Sequence, residues 1–175
     1  MAVLKFGSGR STIWFANRLK KLTSVEHNKE WFKKVSDMFA KTSGMSEKGL
    51  NYLLYEDGIG NKESCGYVEV VKSMPDLSLD FVLVDGVCRD YCAYASISKI
   101  RSGGILVIDN INWYIPKPSF VESTSPASLK HDDDFETETW SKVWEQICDW
   151  RFIWTSNGVT DTALFQKPDE VTKSV

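Results

Sequence analysis

Residues 3–12 read VLKFGSGRST, and LTSVEHNKEWF follows at 22–32. The first stretch sets a short apolar run (3–6) against the turn Gly7-Ser8-Gly9. Beyond the turn, Ile13, Trp14 (or Phe15), Ala16 and Leu19 recur at helical spacing over 11–20. Residues 22–26 read as a second strand closed by Glu26. Residues 29–40 read as an amphipathic helix that buries Trp31, Phe32, Val35, Met38 and Phe39.

Working outward, 50–55 is a third apolar stretch, and the loop DGIGN at 57–61 is rich in turn formers. Residues 67–72 fit helix or strand, and their place in the rhythm favours helix. DFVLV at 80–84 is the clearest strand, closed by Asp85-Gly86, with a helix over 90–99 behind it. A Gly103-Gly104 turn then leads into an apolar strand at 105–108 that ends at Asp109-Asn110. Strands alternating with helices in this way imply a parallel sheet covered on both faces, because each parallel crossover needs a helix.

The last third changes character. Residues 116–134 form a long polar stretch, which reads as a lid or a mobile segment and contains His131 beside three aspartates. A helix over 136–148 follows, then strands at 151–155 and 163–166 joined across Asn157-Gly158. The expected fold is α/β: a doubly wound, mostly parallel seven-stranded sheet with an antiparallel C-terminal strand pair. It is expected to be one domain over residues 1–175.

Composition narrows the class. A chain of 175 residues with 42% hydrophobic residues is long enough for a real core. A formal net charge of -3 argues against a protein built to wrap nucleic acid. Cys65, Cys88, Cys92 and Cys148 contain no Cys-x-x-Cys pair and read as buried or idle reduced thiols. No run approaches the roughly 20 apolar residues of a membrane span, and no apolar signal segment opens the chain, so a cytoplasmic location is expected. The first strand follows Met1 almost at once, so an element preceding it in a longer relative would have no counterpart here.

In open α/β sheets, ligands bind beyond the carboxyl ends of the strands, where strand order reverses. Those ends are Gly7-Ser8-Gly9, Glu26, Glu56-Asp57, Asp85-Gly86 and Asp109-Asn110. The glycine turn admits a ligand against bare backbone, and the next helix offers unpaired N–H groups to an anion. Glu26, at the end of the next strand, can accept both hydroxyls of a ribose. A dinucleotide fingerprint would place a third glycine at position 12, where this chain has Thr12, which weakens that alternative.

VLKFGSGRST, TSVEHNKEWF, DFVLVDG with Arg89, and GGILVIDN resemble the successive motifs of class I S-adenosylmethionine (SAM)-dependent methyltransferases. DWRFIWTSNGVTDTALFQKP, at 149–168, resembles that fold's closing antiparallel strands. The resemblance implies that Gly7, Ser8 and Gly9 line the methionine part of SAM, with Phe6, Ser11 and Thr12 in the same turn. It implies that Glu26 holds the ribose, that His27 or Asp57 lies by the adenine, and that Asp85 and Gly86 sit close to the sulfonium. The family usually carries an acid where this chain has Lys5.

Asp85 and Asp109 are the candidate catalytic residues. Asp85, Asp109 and Asn110 are hard oxygen donors similar to the metal set of catechol-type O-methyltransferases, and magnesium (Mg2+) is the cation they would suit. Those enzymes carry a lysine soon after the first metal aspartate, where this chain has Gly86-Val87-Cys88-Arg89. Arg89 is read as binding an anionic substrate or pairing with a neighbouring acid. Trp113 and Tyr114 stack on a planar substrate or belong to the core.

The expected activity is methyl transfer from SAM to a small-molecule acceptor, at oxygen, with no membrane or nucleic-acid partner; a homo-oligomer is compatible with the sequence. The alternatives are a methyltransferase acting on a macromolecule, and a binding or scaffold protein that keeps the fold without the chemistry.

Overall fold

The computed structural model describes residues 1–41, 49–57, 63–122, 125, 128–130 and 134–169. The expected turn at 58–61 and His131 with its neighbours Asp132 and Asp133 lie outside the described residues. Five parallel strands and an antiparallel pair form one seven-stranded sheet in the order β3-β2-β1-β4-β5-β7-β6. In chain order the elements begin β1 (Ala2–Phe6), α1 (Arg10–Arg18), β2 (Lys21–Glu26), α2 (Lys29–Ala40), β3 (Gly49–Leu54) and α3 (Gly66–Lys72). They continue with β4 (Leu79–Val84), α4 (Arg89–Ile97), β5 (Ile100–Asp109), α5 (Glu138–Ile147), β6 (Arg151–Ser156) and β7 (Asp161–Gln166).

The central strands form because their side chains can be buried on both sides of the sheet. On one face Val3 and Leu22 pack with Ala16 of α1 and with Val35 and Phe39 of α2. On the other, Leu4, Phe6, Val82, Val84, Leu106 and Ile108 meet α3, α4 and α5. Asn28 starts α2 by accepting a hydrogen bond from the Trp31 N–H (2.8 Å), and Thr137 does the same for Trp140 at the start of α5.

The chain winds outward from β1 through β2 to β3, then returns to the other side of β1 as β4. That reversal opens a crevice between the carboxyl ends of β1 and β4, the place where such sheets take ligands.

Two expectations need correction, and one open choice is decided. Gly103 and Gly104 lie inside β5 rather than in a turn before it. The strand already pairs at Ile100 with Leu79, and a register shift between Leu79 and Phe81 absorbs the irregularity. Trp31 and Met38 are 43% and 44% exposed, so the buried stripe of α2 is narrower than its apolar residues suggest. In α1 it is Phe15, packed on Phe81, that faces the core, while Trp14 is exposed and carries Arg18 over its ring. Among the described residues, no helix is long and apolar enough to cross a membrane.

Candidate functional site

The turn after β1 is shaped by what lies against it. Gly7 sits at φ 79, its N–H donating to the Val25 carbonyl (2.9 Å), and a Cβ there would lie 2.3 Å from the Asp85 carbonyl oxygen. Only glycine lets the ends of β1 and β4 touch this closely. Gly86 completes the contact from the other side, since its own Cβ would meet Tyr67 at 2.6 Å and the Gly7 nitrogen at 2.9 Å.

Above this contact lies a cleft of about 460 Å³. Of the residues expected from the sequence, Gly7, Ser8, Glu26, His27, Asp85 and Gly86 line it. Asn28, Glu30, Trp31, Lys34 and Arg89 line it too; of these only Arg89 is legible from the sequence as a ligand or pairing group. Trp31 enters because α2 turns it outward, where its indole N–H donates to the Ser8 carbonyl (2.8 Å).

The other expected residues, Phe6, Gly9, Ser11, Thr12 and Asp57, are not among those that line it. Phe6 is buried and stacks on Tyr67 (5.9 Å). Thr12 is buried, and its hydroxyl accepts the Gly9 N–H (3.0 Å), which starts α1. Ser11 is on the exposed face of α1. The Asp57 carboxylate accepts the Gly66 N–H (3.0 Å) and so anchors the start of α3.

Glu26 is 3% exposed, and its carboxylate is fully engaged. One oxygen accepts from the Ser8 N–H (2.9 Å) and the Ser8 hydroxyl (2.5 Å); the other accepts from the His27 and Asn28 N–H groups (2.9 and 2.8 Å). These bonds take up roughly the four lone-pair sites a carboxylate has. The Tyr52 hydroxyl donates to the Ser8 oxygen (2.7 Å), and burial pushes that phenol up to about 12.

Lys5, where the methyltransferase motif usually has an acid, is 1% exposed. Its ammonium donates to the Gly7 carbonyl (2.8 Å) and lies 4.0 Å from Asp85. Burial lowers the Lys5 pKa, against the opposing pull of Asp85, Glu26 and Asp109. Burial likewise raises Asp85, with Lys5 acting against the shift and the nearby Asp109 carboxyl adding to it. The two directions agree: this interior disfavours charge on both partners.

Arg89 binds the ends of β4 and β5 together. Its guanidinium donates to the carbonyls of Gly86 (2.8 Å) and Asp109 (2.6 Å) and to the Asn110 side-chain oxygen (3.0 Å), and it lies 3.4 Å from the Asp85 carboxylate. The Asp109 carboxylate accepts the Thr162 hydroxyl (2.6 Å). Asp85, Asp109 and Asn110 are therefore neighbours, as expected, but the cation between them is a guanidinium. Among the described residues no three His, Cys, Asp or Glu side chains form a group suited to a metal ion. In this arrangement Arg89 bonds the Asn110 side chain and lies beside the Asp85 carboxylate, while the Asp109 carboxylate bonds Thr162.

Tyr114 stacks on the buried Trp140 (5.1 Å, 13° between planes) and belongs to the core, whereas Trp113 is 42% exposed.

No protein-family model matches the chain, and no curated protein sequence does. Solved structures do match. A provisionally assigned caffeoyl-CoA O-methyltransferase from Staphylococcus aureus has a TM-score of 0.58 at 13% identity, over 95% of this chain and 75% of that one. A methyltransferase from Geobacter sulfurreducens has a TM-score of 0.60 at 10% identity, over 95% of this chain and 71% of that one. A spermidine synthase from Thermotoga maritima has a TM-score of 0.53 at 12% identity, over 98% of this chain and 55% of that one. The strand order, the antiparallel closing pair and these likenesses together establish that the chain has the class I methyltransferase fold.

Proposed function

We propose that the protein is a SAM-dependent methyltransferase acting on a small-molecule acceptor, at oxygen. The observation that carries the reading is that the Gly7-Ser8 turn, Glu26 and Asp85-Gly86 all line one cleft at the strand-order reversal. SAM, when bound, supplies a methyl group on a sulfonium, and methyl transfer needs mainly alignment and removal of the acceptor's proton. Glu26 would hold the ribose hydroxyls, in exchange for the bond it now accepts from the Ser8 hydroxyl. Asp85 would accept the hydroxyl proton of the acceptor, while SAM would supply the methyl group and leave as S-adenosylhomocysteine. Its burial, which raises its proton affinity, makes it a better base than an exposed aspartate. Arg89 is a positioning residue that fixes the Asp85 carboxylate from the side.

A second reading, a ligand-binding or scaffold protein without the chemistry, has support from Lys5 and from Glu26. The buried lysine replaces an acid that favours the cofactor's ammonium end, and the Glu26 carboxylate is already saturated by its own chain.

Calorimetry with SAM and S-adenosylhomocysteine, followed by a screen of hydroxylated acceptors with methyl-labelled SAM, separates the readings. Binding with transfer upholds the enzyme. Binding with no transfer to any acceptor favours the second reading, and failure to bind either ligand removes the first.

A further inference from the structure

Two buried thiols belong to different connections. Cys65 is the residue before α3, and Cys88 is the residue before α4. They are 23 positions apart, yet their sulfurs are 2.9 Å from each other. Both are buried, at 1% and 4% exposure, so the approach is set by packing rather than by a loose surface contact. Cys88 has φ 50, a left-handed backbone that a side-chain-bearing residue keeps only where its surroundings fix it. Cys92, one turn into α4, directs its sulfur to the Val87 carbonyl (3.7 Å). Burial also pushes the Cys92 thiol up.

We infer that Cys65 and Cys88 are a disulfide-forming pair, oxidised by a hydroperoxide and opened again by thiol reductants. The sulfur–sulfur bond length is about 2.0 Å, so small movements of the two connections suffice to close the gap. One cysteine sulfur attacks the peroxide, breaking its O–O bond and becoming a sulfenic acid, while the hydroperoxide leaves as the alcohol, or as water from hydrogen peroxide. The second sulfur then displaces the sulfenic oxygen, which leaves as water with the remaining thiol proton. Two thiols are oxidised and one hydroperoxide is reduced. The bond ties the start of α3 to the segment Asp85–Arg89, which carries the cleft floor. Oxidation therefore restrains the same loop that holds Asp85, Gly86 and Arg89 in the cleft.

The test treats the folded protein with hydrogen peroxide, blocks remaining thiols after unfolding in denaturant, and reads intact mass and non-reduced peptides. The expected product has lost two hydrogen atoms and joins the Cys65 and Cys88 peptides, and dithiothreitol reverses it. A Cys92→Ala/Cys148→Ala double variant gives the same product, and Cys65→Ala gives none. Closing a loop of this length should raise the melting temperature by roughly 6–12 °C on oxidation. Full alkylation of both cysteines after treatment overturns the inference, as does a crosslink through Cys92 or Cys148, or stable sulfinic acid at either position. The wild-type mass readout decides the question even if a variant fails to fold. It involves neither cofactor nor methyl transfer, so its failure and a failure of the proposed function are independent results.

Discussion

Gly7→Ala tests the contact on which the cleft is built. At φ 79 an added Cβ meets left-handed strain of about 1–2 kcal/mol. It also falls 2.3 Å from the Asp85 carbonyl oxygen, which is backbone and cannot rotate away. Overpacking of that kind adds about 1–3 kcal/mol. The sum, about 2–5 kcal/mol, is a large share of the 5–15 kcal/mol typical of a folded domain. For a chain this size it corresponds to a melting temperature lower by roughly 5–15 °C. Gly158→Ala is the internal control: Gly158 has φ 84, but its Cβ would meet nothing within 4 Å. It should therefore lose only the strain part, about 1–2 kcal/mol. Urea melts followed by circular dichroism, analysed at a common slope, give both differences directly. Equal losses in the two variants would refute the reasoning, because the close approach of β1 to β4 would then contribute nothing.

Glu26→Gln turns one acceptor oxygen into a donor facing N–H or O–H donors, and should weaken S-adenosylhomocysteine binding at least about tenfold by calorimetry. Unchanged affinity would separate Glu26 from the ligand. Trp31 lines the cleft, so ligand binding should change the tryptophan fluorescence of the wild type and change it much less in Trp31→Phe. An identical response in both would place the ligand elsewhere. The pair of buried Lys5 and half-buried Asp85 also predicts the sign of a pH effect. Because the Asp85 pKa is raised in the fold, the native state holds its proton longer than the unfolded chain. Its contribution therefore makes stability fall as pH rises from about 4 to the raised value. Lys5, lowered in the fold, makes stability rise with pH between its lowered value and about 10.4. Urea melts across pH should show the acid-side slope flattened in Asp85→Asn, and an unaltered slope would remove Asp85 as its source.

The sheet was legible because its central strands are buried on both faces, which leaves unbroken apolar runs such as DFVLV at 80–84. The same cue misleads at Gly103-Gly104, where two glycines interrupt the apolar run without interrupting the strand. Periodicity marks a face but not what covers it, so Trp31 looked like core while it lines the cleft. Glu26 could be located from its place after the second strand. Its saturation by Ser8, His27 and Asn28 could not, since that depends on how the glycine turn folds back over it. The destination of the Asp109 carboxylate was equally hidden, because Thr162 reaches it through the antiparallel register of β5 and β7. Residues far apart in the chain, such as Cys65 and Cys88, leave no periodic trace of their contact.

Lys5 shows why the departure from the family motif does not undo the site's shape. Glu26, Asp85 and Asp109 all act electrostatically on the interior that Lys5 occupies. An acid at position 5 would add a fourth carboxylate, with Arg89 as the nearby counter-charge described above. A lysine instead supplies a second cation, and its ammonium supports the glycine turn from below through the Gly7 carbonyl. The geometry of the turn is thus kept while the local field changes sign at one point. If SAM is the ligand, as proposed, that change would bear on its ammonium, which a charged lysine repels, far more than on its ribose. On the function proposed above, the adenosine half of SAM would meet Glu26, and its amino-acid half would meet the lysine that stands where the resembling motif has an acid.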